Sequence, residues 1–173
     1  EREAWPGFKP GAGRFDARDE TMTNSALNQG QAATLAPILV CDDEAPIRHI
    51  VAHKLRAAGH EVLESRNGLE GLELATLGAR TPRLVLTDLQ MPVMTGIDLC
   101  RRLRLHERTK GTPVLMLTAR GYILTAEELA ATNIRRVISK PFGVRQLLDT
   151  VTAMLAELDR NEGTDQNGAA RAA

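Results

Sequence analysis

The chain has 173 residues, with 22 lysines and arginines against 22 aspartates and glutamates, so its formal net charge is zero. That balance argues against nucleic acid or a membrane surface as a direct partner, since both select a basic excess. No apolar run approaches the roughly 20 residues that span a bilayer, no basic leader precedes the stretch Ala32 to Cys41, and the two cysteines, Cys41 and Cys100, show neither disulfide-scaffold density nor zinc spacing. The expectation is a cytoplasmic protein with two buried thiols.

Residues 1–36 carry Gly7, Gly11, Gly13, Gly30, Pro6 and Pro10 with no sustained period, and read as a disordered arm. Met22 is a candidate start, which would leave residues 1–21 outside the native chain. Periodicity begins at residue 37. Ile38 to Cys41 reads as a buried strand. Ile47, Ile50, Val51, Leu55 and Ala58 recur at helical spacing, and Gly59 closes that helix. A weaker strand covers Glu61 to Glu64, and Leu69, Leu72, Ala75 and Leu77 mark a second helix. Leu84 to Thr87 is a third strand; Ile97, Cys100, Leu103 and Leu105 mark a third helix. Val114 to Leu117 is a fourth strand, followed by a poorer helix over Ala126 to Ala131. Val137 and Ile138 form a fifth strand, and Leu147, Leu148, Val151, Met154, Leu155 and Leu158 a strong final helical stripe. Residues 159–173 are small and polar and read as a disordered tail. The folded unit is therefore placed at 37–158, large enough for one core.

Strands alternating with helices imply an α/β fold: a doubly wound, five-stranded parallel sheet with helices on both faces. In such sheets the chemistry lies at the carboxyl ends of the strands. Those ends carry polar groups here. Strand one runs into Asp42, Asp43 and Glu44; strand three ends in Asp88; strand four in Thr118; strand five in Lys140, followed by Pro141. Carboxylates brought together raise one another's pKa and need a cation between them. Hard oxygen donors in an open site suit Mg2+. Asp43 or Glu44 could instead cap the first helix, with Pro46 in its first turn, but capping does not account for Asp88, Thr118 and Lys140.

Four segments carry a resemblance: Ile38 to Glu44, Leu86 to Gly96, Leu117-Thr118-Ala119, and Lys140-Pro141-Phe142. In this order and spacing they resemble the receiver domain of bacterial two-component response regulators, over residues 37–158. The resemblance implies the flavodoxin-like fold with strand order 2-1-3-4-5, which is that of a familiar example of this fold. It implies that Asp88 is the phosphoacceptor, that Asp42, Asp43, Asp88 and the backbone carbonyl of Gln90 hold Mg2+, and that Lys140 and Thr118 contact the phosphoryl oxygens. It implies a cis bond at Pro141, and a switch running through Thr118, Ala119 and the position of Val137. The donor would be a histidine kinase or a histidine phosphotransfer protein, and the reader an unknown downstream protein. Only small and polar residues follow Leu158, so the expectation is a stand-alone receiver that signals by phosphorylation-dependent contact or phosphorelay. It would not be an enzyme beyond its self-phosphorylation and slow dephosphorylation.

Three positions depart from the family pattern. Thr95 stands where Asp or Asn is usual before Gly96. Asn133-Ile134 replace a common Gly-Ala. Val137 replaces the usual aromatic ring or histidine. Gly96 is expected to supply a positive φ. The basic cluster Arg101, Arg102, Arg104, Arg108 and Lys110 reads as a solvated face. One alternative is a pseudo-receiver that binds without phosphorylation. Another is a haloacid-dehalogenase-type phosphohydrolase, which needs a second acid two residues after its nucleophile, where this chain has Gln90.

Overall fold

The computed structural model describes residues 36–119 and 123–169, with side chains to residue 161. Residues 1–35 of the expected arm, and Gly121 and Tyr122 in the loop after strand four, lie outside the described residues. The elements are β1 (Ile38–Cys41), α1 (Ala45–Ala57), β2 (Val62–Ser65), α2 (Gly68–Leu77), β3 (Leu84–Asp88), α3 (Gly96–Leu105), β4 (Val114–Thr118), α4 (Ala126–Ala130), β5 (Ile134–Ser139) and α5 (Val144–Ala169). The five strands form one parallel sheet in the order β2-β1-β3-β4-β5.

The uninterrupted apolar runs have a simple cause. Successive strand residues point to opposite faces, and both faces are covered. Ile38, Val40, Leu84, Leu86, Leu115 and Leu117 pack under α1 and α5, against Val51, Leu55, Leu147, Val151 and Met154. Leu39, Cys41, Val85, Val114 and Met116 pack under α2 and α3, against Ala75, Leu99, Cys100 and Leu103. Each fully buried leucine or valine contributes about 1.5–3 kcal/mol, so β1, β3 and β4 anchor two cores at once. Both cysteines are buried and free. Burial pushes the Cys41 thiol up to about 12 and moves Cys100 in the same direction.

Local signals set the helix ends. Gly59 has φ +90°; its N–H donates to Arg56 O and the next N–H, from His60, to Leu55 O, which closes α1 in a Schellman motif. Asn67 caps α2 and Thr95 caps α3 through side-chain oxygens that accept from Glu70 N and Asp98 N. Thr95 thus does the capping that Asp or Asn would do at that position. Thr125 and Glu128 form a capping box on α4.

Several expectations are corrected. β5 begins at Ile134, three residues before the apolar pair that marked it, because Ile134 pairs with Val114 and is buried while Arg135 and Arg136 face outward. α5 continues past Leu158 to Ala169, where a disordered tail was expected. No proline interrupts this stretch, and Asp159 is tied to Arg83 by an ion pair. Gly96 does not take a positive φ; the residue of the β3–α3 loop that does is Val93, at 69°. Gly96 is required for space: a Cβ there would lie 2.1 Å from the backbone oxygen of Asp88.

The basic cluster is only partly a solvated face. Arg108 reaches back to Thr76 O at 2.7 Å and Gly78 O at 3.0 Å, and Arg104 to Thr132 O at 3.4 Å. Arg101 and Lys110 pair locally with Asp98 and Glu107. No helix among the described residues is long and apolar enough to cross a membrane.

Candidate functional site

The carboxyl edge of the sheet gathers the polar strand ends into one cleft. It is lined by Asp43, Glu44, Asp88, Gln90, Ala119 and Lys140 and measures about 230 Å³. Backbone bonds hold the strand ends in step. Leu89 N donates to Leu117 O at 2.8 Å, and Lys140 N donates to Thr118 O at 2.6 Å. Asp88, Thr118 and Lys140 are therefore placed by the continuation of the β3–β4–β5 ladder.

Lys140 is the electrostatic centre. Its Nζ lies 2.6 Å from Asp88 Oδ1, 3.0 Å from Asp42 Oδ2 and 3.3 Å from Glu44 Oε1. One cation among the carboxylates is thus this ammonium. Burial alone would lower the Lys140 pKa, but its hydrogen bonds to Asp88 and Asp42 carry it well above the ordinary lysine value. The Lys140–Pro141 bond is cis.

Asp42 is fully buried. Burial raises its pKa, against the opposing pull of bonds from Lys140 and from the Glu44 amide. Its Oδ1 accepts Glu44 N at 2.9 Å, and its backbone oxygen accepts Arg48 Nη1 at 2.7 Å. Asp42 thereby braces the turn into α1. Glu44 is the N-cap residue, yet its side chain makes no capping bond; neither proposed cap, Asp43 nor Glu44, performs that task. Asp43 is exposed in the cleft.

Asp88 is 6% exposed. Its Oδ2 accepts Gln90 N at 2.6 Å, which leaves the carboxylate fixed at both oxygens. Thr118 is fully buried, and its hydroxyl has no hydrogen-bond partner. It stands at the end of β4, next to Ala119 of the cleft. Ala119 lines the rim. Val137 is 43% exposed on the edge strand β5, two residues from the Ser139 that pairs with Thr118.

Among the described residues, no three His, Cys, Asp or Glu side chains converge to enclose a metal by themselves. The donors present are the Asp43 and Asp88 carboxylates, with the backbone of Gln90, at an open cleft. Such an oxygen-only, incomplete set fits a hard ion that keeps several waters, as Mg2+ does. Glu44 is the cleft residue that sequence reasoning missed as a site residue. Its only trace was its place directly after the acidic pair.

Comparisons with known proteins agree with this geometry. The family described as response regulator receiver domain matches residues 38–152. The DNA-binding dual master transcriptional regulator RpaA of Synechocystis sp. is 37% identical over 123 residues, covering 71% of this chain and 50% of that protein. Chemotaxis protein CheY1 of Helicobacter pylori is 33% identical over 126 residues, covering 70% of this chain and 98% of that one. Among solved structures, chemotaxis protein CheY4 of Vibrio cholerae superposes with a TM-score of 0.62 at 34% identity, covering 68% of this chain and 97% of that one. The chain spans about half the length of curated relatives such as the Synechocystis regulator. The expectation that nucleic acid is no direct partner, drawn from neutral charge, finds no support in a relative named as DNA-binding.

Proposed function

The chain belongs to the response regulator receiver domain family, and from that premise we propose that it takes up a phosphoryl group on Asp88. The reading rests above all on one observation: the Lys140 ammonium stands 2.6 Å from the Asp88 carboxylate at the carboxyl edge of the sheet.

A free Asp88 oxygen lone pair attacks the phosphorus of a phosphohistidine or a small acyl phosphate. The bond from phosphorus to the donor breaks, its electron pair leaves with the donor, and an acyl phosphate remains on Asp88. Negative charge spreads over three phosphoryl oxygens in the transition state, so the protein's task is positioning and charge neutralisation. Lys140 offers a fixed positive charge, and the unpaired Thr118 hydroxyl has a free donor for a phosphoryl oxygen. Gln90 N holds Asp88 Oδ2 and so fixes the plane of the nucleophile. Asp43, Asp88 and the Gln90 carbonyl would hold Mg2+, while the buried Asp42, expected as a further ligand, is engaged by Lys140 Nζ and Glu44 N. When bound, Mg2+ supplies Lewis-acid charge that the side chains lack.

The phosphoryl donor in the cell is a histidine kinase or histidine phosphotransfer protein in the cytoplasm, and the output is a phosphorylation-dependent contact with a downstream protein. Intact-mass measurement tests the acceptor directly. With Mg2+ and acetyl phosphate the chain gains one phosphoryl group, and Asp88→Asn gains none. An undiminished adduct in Asp88→Asn would place the acceptor elsewhere.

A further inference from the structure

Glu44 sits where the chain enters α1, an N-cap position that favours Asp, Asn, Ser or Thr because a short side chain can turn back onto the helix N–H groups. The Glu44 side chain does not do this. It extends across the cleft instead, and its Oε1 stands 3.3 Å from Lys140 Nζ. Asp42 and Asp88 hold the same ammonium at 3.0 and 2.6 Å. Asp42 is buried and built into the turn, and Asp88 is the group that reacts. Glu44 is the exposed and removable member of the three, with 59% of its side chain open to solvent.

We propose that Glu44 is a positioning residue that restrains phosphoryl uptake by competing with the incoming phosphoryl oxygens for the Lys140 ammonium. The inference rests on the reading of Asp88 as phosphoacceptor. An ammonium has three donors, and here three carboxylates lie within reach of it. A phosphoryl oxygen must displace one of them to use the lysine. The Glu44 contact is the longest of the three and the most exposed, so it is the one that yields. Its loss costs little, since a partly exposed ion pair is screened by solvent and weak. The restraint is correspondingly modest, about two- to fivefold in rate.

Two variants separate this from a general effect of charge. Glu44→Ala removes the carboxylate. Glu44→Asp keeps the charge but is one methylene shorter and is drawn onto the helix N–H groups as a true N-cap, away from Lys140. The apparent second-order rate constant for phosphorylation by acetyl phosphate is measured for all three proteins at saturating Mg2+ and fixed ionic strength, with the affinity for beryllofluoride as an equilibrium readout. Both variants should phosphorylate about two- to fivefold faster than wild type and bind beryllofluoride more tightly, while Glu44→Asp melts no lower. If Glu44→Asp behaves as wild type and only Glu44→Ala is faster, the effect is long-range charge and competition for Lys140 is overturned. Equal rates and affinities in all three proteins overturn it as well, with the acceptor assignment intact. Absence of any adduct in wild type overturns the acceptor assignment and this inference together.

Discussion

Val93 has a φ of 69°, in the left-handed region that a β-branched side chain enters only under strain. Around it Met94 N donates to Pro92 O at 2.7 Å, a three-residue turn in the loop that follows Asp88. The side chain is 78% exposed, so it packs against little. The steric cost of that conformation is about 1–2 kcal/mol. Asparagine tolerates the left-handed region without glycine's extra freedom in the unfolded chain. Val93→Asn should therefore stabilise the fold by about 1 kcal/mol, read as a higher urea midpoint at unchanged slope; a lower midpoint would show that the valine methyls matter more than the backbone. A second residue sets a pH dependence. Burial, assisted by nearby Arg83, lowers the His60 pKa. The unfolded chain then binds a proton that the folded one resists. Stability from His60 is present above the unfolded pKa, near about 6.5, and is lost as pH falls through the lower folded value. Melting curves at pH 7 and pH 5 should show a smaller acid-induced drop in His60→Gln than in wild type. An equal drop in both would assign the acid sensitivity to other groups.

At the scale of elements, the junction before β5 depends on one amide. Asn133 is 5% exposed, and its Nδ2 donates to Thr109 O at 3.2 Å and Thr112 O at 3.0 Å. These bonds pin the turn after α3 to the start of β5. Asn133→Ala removes both bonds and strands Thr112 O, whereas Thr109 O keeps its bond from Thr112 N at 2.9 Å; it should cost about 1–3 kcal/mol, measured by chemical denaturation, and a loss under about 1 kcal/mol would mean that water replaces the lost bonds. The sequence marked Asn133 only as a departure from a Gly-Ala pattern, because a bond between residues more than twenty positions apart leaves no periodic trace. Elements with a strong period were legible: β1, β3, β4, α1 and the apolar half of α5. So was the placement of the polar groups at the cleft, since Asp42 follows β1, Asp88 and Thr118 close β3 and β4, and Lys140 follows β5. The misread features depend on contacts. β5 exposes three residues in a row, Arg135 to Val137, α5 outlasts its apolar stripe, and Gly96 serves a close approach to Asp88 O that spacing alone does not reveal.

At the scale of the whole molecule, the proposed phosphoryl group at Asp88 would have to be converted into a change of surface. Thr118 is the mobile candidate: its hydroxyl is unpaired, and a new acceptor would draw it toward the cleft. The resemblance to receiver domains implies that an aromatic ring at the position of Val137 would fill the space so vacated. Val137 is stiff at χ1 and already 43% exposed, so it has no comparable pair of positions to exchange. β5 is further fixed, by Asn133 at its start and the Lys140 N to Thr118 O bond at its end. α4 differs in every respect. It spans only Ala126–Ala130 and buries none of its residues, which places it among the elements that open at low free energy. Ile123 just before it is 84% exposed. The response should therefore concentrate in residues 119–131, with β5 changing less. Amide NMR shifts on adding Mg2+ and beryllofluoride measure this residue by residue. The largest remote shifts are expected within 119–131. If they fall instead at 135–139 while 119–131 stays still, the edge strand carries the signal despite its valine.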